Sequence, residues 1–540
     1  MLRNFKYKFR TWKKNLTPNN TAPKAGDESD KQVLSKNLSV NLDLVRKKLG
    51  NSMDLIIREF NLGNTRAALV CLDGLVDKEI ADTHILQPML IHARMAEPTP
   101  VKGKNELWKF IKDNNLSAID YKEVYTLDEV LNKIISGFTA LLIDGLAAAL
   151  VINTVGFEAR DVKEPETEAV VRGPREGFTE RLQVNTALLR RKIKSPDLRL
   201  ERMTLGRVTK TDICIAYVQG IANDKIVDEL KKRLQRIEID AVLESGYIEA
   251  FIEDAPFSMF ATVGNTEKPD IAAAKMLEGR VAVLVDGSPM TLTIPYLFIE
   301  TIQVSEDYYS RWLSGTMMRW FRILSITLTT QLPALYVATV SFNAEVLPTI
   351  LLITIAASRE GVPLPAAVEM LFLGIIFEIL REAGIRQPRP VGQAVSIIGA
   401  LVIGEAAINA GLVSAPAVMV TVLTGIASFT IPAQSITYIF IRLLLLALAA
   451  TTGFFGLILG IIIVLIHMAS LRSFGVPYLS PLAPANFGDW KDFLFRAPLW
   501  TMFSRPSVIG WQNRKRTGAF GMPRPPKDEE KKPAGEGERE

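Results

Sequence analysis

Residues 436–468 read ITYIFIRLLLLALAATTGFFGLILGIIIVLIHM, an apolar run interrupted only by Arg442 and His467. Two further runs have the same character, Phe321–Phe342 and Val391–Val413. About 20 apolar residues, rising roughly 1.5 Å each, cross the roughly 30 Å hydrocarbon core of a bilayer. One such run would suit the buried helix of a large soluble core. Three in succession, within a Met317–Ser470 stretch that holds neither Lys nor Asp, specify a membrane domain.

Working outward, everything before Tyr308 reads as a soluble attachment. The fold class expected is an α/β two-subdomain cytoplasmic region followed by an all-α polytopic transmembrane domain. Residues 1–44 read as a disordered basic arm in which Phe5, Tyr7, Phe9 and Trp12 alternate with charges and would suit lipid headgroups. Leu42, Val45, Leu49, Met53 and Ile56 then recur at helical spacing, continuing to Phe60–Leu62.

Residues 45–160 form a first α/β subdomain. Phe138–Ile143, Asp144-Gly145 and Leu146–Asn153 predict a hairpin, because Asp-Gly between apolar runs is a strong turn signal. Residues 161–300 form a second subdomain after an acidic, Gly-Pro-rich link. Thr179–Ile193 and Asp224–Ile237 read as amphipathic helices, and Leu205–Val208 and Ile213–Val218 as strands. Val281–Val285, Asp286-Gly287 and Met290–Ile294 repeat the hairpin pattern of the first unit, too weakly in sequence to establish a duplication.

Residues 301–320 read as an interfacial helix, with Tyr308, Tyr309, Trp312 and Trp320 among Arg311 and Arg319. The multi-span domain is 321–470. Residues 471–512 read as a cytoplasmic interfacial segment, with aromatics mixed with Lys and Arg, and 513–540 as a disordered charged tail.

Composition narrows the function. The net charge of +5 is modest, and basic residues meet aromatics only near the ends and beside the apolar region. That placement suits a membrane surface and not nucleic acid. Cys71 and Cys214 are the only cysteines, without metal-ligand spacing or a disulfide framework. No apolar stretch follows the basic N-terminus as a secretory signal would, so the soluble half is expected to stay in the cytoplasm. No phosphate loop, dinucleotide fingerprint, zinc-protease helix or nucleophile elbow is present. No enzyme activity, cofactor or metal is therefore expected.

The basic residues set the topology. Arg319 and Arg322 precede the first span, the loop Asn343–Thr349 lacks Arg and Lys, and Arg381, Arg386 and Arg389 cluster after a later one. An even number of crossings, four to six, follows. Ser358–Pro365 and Pro432–Ser435 break apolar pieces, and irregular backbone at membrane depth is tolerated only beside protein or water.

Glu360, Glu369, Glu378, Glu405, Asn409 and Arg442 are candidate pore or gating residues. A charge at the bilayer centre costs about 2.5–3.5 kcal/mol on insertion scales, so it faces protein or water. Glu405 and Asn409 are four apart, on one helix face. Two accounts stand. A ring of carboxylates would line a cation path in an oligomer, or the carboxylates would pair structurally, Glu378 with Arg381 and Glu405 with Arg442. Pairing is preferred for Glu378 and Glu382. Gly456 and Gly460, like Ala400 and Gly404, have the spacing that lets helices approach closely.

Several strings together carry a family resemblance: Arg172-Gly173-Pro174-Arg175-Glu176-Gly177-Phe178, Ser358-Arg359-Glu360-Gly361-Val362-Pro363, Phe377–Gly384, Pro390–Val395 and Tyr478-Leu479-Ser480-Pro481. From about Asp161 to Pro506 the chain resembles the A subunit of the GerA-type spore germination receptors. The resemblance implies a multi-pass protein of the spore inner membrane. It would act with a transporter-like, nutrient-binding B subunit and a lipoprotein C subunit. It would assemble as a homo-oligomer, a pentamer in the family, forming a nutrient-gated cation channel. Alternatives are a non-conducting scaffold for receptor assembly, an A-type paralogue that amplifies ion release, and a secondary transporter, for which no inverted repeat is visible. One departure is notable: the family commonly has an acid between the positions of Glu369 and Glu378, where this chain has Gly374.

Overall fold

The computed structural model describes residues 32–62, 65–90, 108, 121–156, 165, 168, 170–386, 404–431, 435–510 and 513–516. The chain forms two compact units. The first is Met1–Lys47, Ile56–Leu72 and Val76–Val155; the second is Lys48–Leu55, Asp73–Leu75 and Gly156–Glu540.

The first unit begins with helix α1 (Leu38–Leu49). Leu38, Leu42, Val45 and Leu49 recur on its buried face. The helical pattern does not run on to Phe60, as the spacing suggested. Gly50 takes φ +66° and stops the helix, and Leu55–Leu62 becomes strand β1. Helix α1 also begins inside the segment expected to be a disordered arm; residues 1–31 of that arm lie outside the described residues. Strands β2 (Thr65–Leu72), β3 (Tyr121–Val124), β4 (Phe138–Ile143) and β5 (Ala149–Asn153) complete a sheet of order β1-β2-β4-β5-β3. The β4–β5 pair is the expected hairpin, with Leu141 opposite Leu150. Helix α2 (Leu127–Ile135) buries Leu127, Val130, Leu131 and Ile134, one amphipathic face.

The second unit opens with α3 (Leu182–Lys192), followed by β6 (Leu198–Leu205) and β7 (Thr211–Val218). Helices α4 (Asp224–Gln235) and α5 (Ser245–Ile252), strand β8 (Gly264–Thr266), helix α6 (Pro269–Leu277) and strands β9 (Val281–Val285) and β10 (Thr291–Ile294) follow. The sheet order is β6-β7-β9-β10-β8, the same as in the first unit. Alternate residues of its strands feed two apolar layers. Ile213, Ile215 and Val283 join α4 and α5 on one face, and Cys214, Ala216 and Leu284 join α3 and α6 on the other.

Helix α7 (Trp312–Ser341) is a single 30-residue helix. It replaces the separate interfacial helix expected over 301–320, of which only the short turn Glu306–Tyr309 is independent. Helices α8 (Thr349–Arg359), α9 (Ala366–Arg386), α10 (Ala415–Phe429), α11 (Ser435–Thr452) and α12 (Phe454–Ser470) follow. Among the described residues only α7 is long and apolar enough to cross a bilayer by itself; α8, α10, α11 and α12 are shorter apolar helices. The 436–468 run is therefore two helices, not one span. They turn at Gly453, which has φ +63° and lies against Phe342 and Asn343 at the end of α7. Most of the Val391–Val413 run lies outside the described residues.

Helices α11 and α12 return to the same place. Thr437 Oγ1, at the start of α11, donates to the Met259 carbonyl at 2.6 Å, and His467, near the end of α12, lies 2.9 Å from Ser258 Oγ. The chain leaving α12 forms a small hairpin, Arg472-Ser473 against Val476-Pro477. Ser473 Oγ bonds the Thr262 carbonyl at 2.6 Å and accepts from Tyr296 N at 3.0 Å, so the hairpin docks on the second subdomain. The segment expected to be disordered from 513 starts in a bridge, Lys515 with Ser504; residues 517–540 lie outside the described residues.

Candidate functional site

The candidate residues fall into two classes. Glu369, on α9, is wholly buried. One carboxylate oxygen accepts the Ser414 N–H, and the other lies 3.7 Å from Arg359 Nε. Ser414 caps α10 and its hydroxyl is 3.5 Å from that of Tyr336 on α7. Glu369 thus joins four helices at one point. Glu378, two turns along α9, holds Arg381 at 2.7 Å and Arg442 of α11 at 2.7 Å. The expected Glu378–Arg381 pair forms. Arg442 pairs with Glu378 and not with Glu405, because α11 packs against α9 at this level. Buried charges of this kind are tolerated in low dielectric only when paired.

Beside Arg442 is a cleft of about 20 Å³ lined by Pro333, Met370, Gly374, Thr421 and Thr424, room for about one water. A Cβ on Gly374 would meet nothing within 4 Å.

Glu360, Glu405 and Asn409 form the second class: all are exposed. No partner holds Glu360 or Glu405 among the described residues. Gly411, at φ +65°, faces the Gly361 carbonyl, its Cβ position 3.6 Å away. That contact sets the turn after Glu360 beside the turn after Asn409, with Glu405 one helical turn further along. Pro432–Gln434 of the expected break lie outside the described residues, as do Arg389 and 390–403.

A cluster that sequence reading missed sits where α7 meets the second subdomain. Arg319 is completely buried. Its Nε donates to Asp307 at 3.1 Å, one Nη donates to the Asp492 carbonyl at 2.6 Å, and the other lies 2.9 Å from the Asp492 carboxylate. Arg322 grips Asp307 from the next turn at 2.7 Å. Tyr308 donates to Asp492 at 2.9 Å, and Arg496 donates to the Tyr308 carbonyl at 3.0 Å. Burial pushes the Asp492 carboxyl up while Arg319 pulls it back, and burial with the Asp492 charge raises the Tyr308 phenol. Arg319, expected as an interfacial anchor, is instead interior and Tyr308 is half-buried; Trp312 and Trp320 stay exposed. The charges of Asp307 and Asp492 lie far from Arg319 in sequence or outside the apolar runs, so no local pattern announces them.

The link between subdomains reaches the same place. Arg172 N donates to Glu306 at 3.4 Å, and Gly173, at φ +148°, lies so close to the Tyr309 ring that a Cβ would sit 2.8 Å from it. Tyr309 in turn donates to Asp270. Linker, second subdomain, first long helix and C-terminal segment therefore converge on residues 306–322. No group of His, Cys, Asp and Glu suited to a metal occurs among the described residues.

Comparison with known proteins agrees with the motif resemblance. Residues 43–508 match the family described as Bacillus/Clostridium GerA spore germination protein. The chain is 43% identical to spore germination protein KA of Bacillus subtilis (strain 168), covering 92% of this chain and 91% of that protein. It is 40% identical to spore germination protein GerLA of Bacillus cereus, covering 88% and 96%. A crystal structure of the N-terminal domain of the A subunit of the Bacillus megaterium germinant receptor GerK3 aligns with 36% identity and a TM-score of 0.39, over 50% of this chain and 98% of that one. The chain belongs to the GerA family of spore germination proteins.

Proposed function

We propose that the chain is the A subunit of a nutrient receptor in the spore inner membrane, and that several copies together form a nutrient-gated cation channel. A nutrient-binding, transporter-like B subunit and a lipoprotein C subunit are its partners, and five copies is the stoichiometry the family resemblance implies. Helix α7 and the α11–α12 pair enter the membrane and, with the helices between them, make an even number of crossings, so that both cytoplasmic subdomains and the C-terminal segment lie on one side.

The observation that carries the reading is the division among the carboxylates. Glu369 and Glu378 are paired within the chain, whereas Glu360 and Glu405, with Asn409, are exposed in an apolar region. An unpaired carboxylate there is stable only against water or another copy. A ring of such groups is how cation pores are lined. Nutrient binding to the partner shifts the equilibrium between closed and open arrangements by its differential affinity for the two. The convergence at residues 306–322 is the mechanical link from subdomain to helix.

Cation efflux from liposomes holding the purified chain with its B and C partners tests this. Efflux on nutrient addition, altered by Glu405→Gln or Glu360→Gln, is expected. A correctly assembled complex that passes no cations leaves the scaffold reading, and efflux that only accelerates release begun by another receptor marks an amplifying paralogue.

A further inference from the structure

We propose that the turn Ala255–Ser258 is a lipid-inserted wedge, with the Phe257 ring buried in the headgroup region of the bilayer beside the ends of α11 and α12.

Phe257 is fully exposed and Met259 two residues on is exposed as well; an exposed ring that continues a larger exposed apolar surface marks a contact site. The residues on either side are, by contrast, anchored. Ser258 N donates to the Ala255 carbonyl at 2.9 Å, closing a turn with Pro256 and Phe257 at its tip. Pro256 presets the backbone there, so the ring is held outward and not left to collapse. Phe260 is buried in the same apolar cluster as Tyr438 and Ile441 of α11 and Tyr478 after α12, with Ala255 packed at its edge.

The level of the tip follows from its neighbours. Ser258 Oγ meets His467 at 2.9 Å and the Met259 carbonyl meets Thr437 at 2.6 Å. Next to those two residues stand Ile466 on α12 and Ile436 on α11, both exposed, as are Leu465 and Phe440. The apolar outer faces of the two helices end where Phe257 begins, and an aromatic ring at that boundary has the position of an interfacial anchor. Glu253 and Asp254 lie at the base of the turn, so attraction to anionic lipid does not drive the contact. Apolar insertion does, and it is insensitive to salt.

The proposal rests on the reading of α11 and α12 as membrane-embedded, and the test separates the two. Spin labels are placed at Phe257→Cys, at Ile466→Cys and at Val208→Cys, an exposed residue of the β6–β7 turn, each in the full chain with Cys71 and Cys214 replaced by Ser. The protein is placed in phosphatidylcholine nanodiscs, and collision with oxygen and with a water-soluble nickel chelate is measured. The label at 466 is expected to collide preferentially with oxygen and the label at 208 with nickel, and the label at 257 is expected to fall between them. A 257 label as open to nickel as the 208 label, with 466 still in lipid, overturns the wedge and leaves the membrane reading intact. If 466 is also open to nickel, the membrane reading itself fails. A 257 label shielded from both agents only when B and C subunits or further copies are added overturns the proposal in favour of a protein contact. As a second readout, Phe257→Trp adds an indole whose emission is expected to be largely lost to brominated lipid; unquenched added emission overturns the wedge.

Discussion

Asp286 accepts the backbone N–H of Leu182, the first residue of α3, at 3.1 Å. Asp144 does the same for Leu38, the first residue of α1, also at 3.1 Å. The correspondence extends further. Asn185 brackets Thr179 with both amide atoms, at 2.8 and 2.6 Å, and Asn41 brackets Ser35 at 2.8 and 2.7 Å. Gly287 and Gly145 donate to Glu180 and Lys36. Each hairpin thus fixes the helix that precedes its sheet by the same set of bonds. A shared strand order and shared bonds, at matching places, mark the two subdomains as structural repeats.

Asn185 is buried and satisfies both polar backbone groups of Thr179, so Asn185→Ala leaves a donor and an acceptor unpaired. The expected loss is about 1–3 kcal/mol. Asp286→Ala, which removes one bond to a helix start, is expected to cost less, about 0.5–2 kcal/mol. Denaturation of the second subdomain, followed in the full chain in detergent, should rank the two variants in that order.

Gly315 lies against the Asp307 carbonyl, where a Cβ would sit at 2.8 Å. Gly315→Ala is therefore expected to push α7 away from Asp307 and open the Arg319 cluster. Arg319→Gln takes the ion-pair partner from Asp492 and leaves Asp307 to Arg322 alone, at about 3–5 kcal/mol. Both variants should lower the unfolding temperature and expose residues 302–312 to protease. Retained protection would show that the cluster does not hold α7 to the subdomain.

Glu378 serves two arginines, while Glu405 serves none among the described residues. Glu378→Gln should reduce the yield of folded protein more than Arg442→Gln, which leaves Glu378 still paired with Arg381. Glu405→Gln should leave yield unchanged. Size-exclusion profiles of the three variants in one detergent check the order.

Two glycines in the helical region should respond differently to a methyl group. A Cβ at Gly456 would collide with the Leu448 carbonyl across the α11–α12 turn, whereas one at Gly374 meets open space. Gly456→Ala is expected to destabilise by about 1–3 kcal/mol and Gly374→Ala to be neutral. Thermal unfolding in detergent measures both.

Glu249 on α5 has its carboxyl pushed up to about 7, by burial first and then by the charges of Glu253 and Glu244. The native state therefore binds this proton more tightly than the unfolded chain does, whose carboxyl titrates near 4.5. Its contribution is most favourable below the unfolded value and is lost as pH rises from there through about 7. Glu249→Gln should stabilise the protein by about 1–2 kcal/mol near pH 8, allowing for partial exposure, and by little near pH 4.5. The gap in unfolding temperature between variant and parent, followed across that range, carries the test.

Local sequence determined most of the secondary structure and the membrane reading. Period-two and period-3.6 apolar patterns arise from which face of an element is buried, so β4, β5, β9, β10, α3 and α4 could be read directly. The Asp-Gly turns could be read because few residues accept their backbone. The strings that carry the family resemblance are likewise local, each a few consecutive residues. Reading failed where one signal had two physical causes. Helical spacing across Gly50 continued as a pattern although the backbone there does not, and an unbroken apolar run hid the turn at Gly453.

Tertiary structure alone decided the partners of the charges. Arg442 meets Glu378 across 64 residues, and Arg319 meets Asp492 across 173. A guanidinium finds its carboxylate by how helices and segments pack, and no spacing along the chain records that. The same holds for Phe257, one apolar residue among many until the ends of α11 and α12 place it at the edge of the apolar surface. Sequence sets what each segment can bury; only packing sets which buried charge answers which, and which exposed ring has a surface to meet.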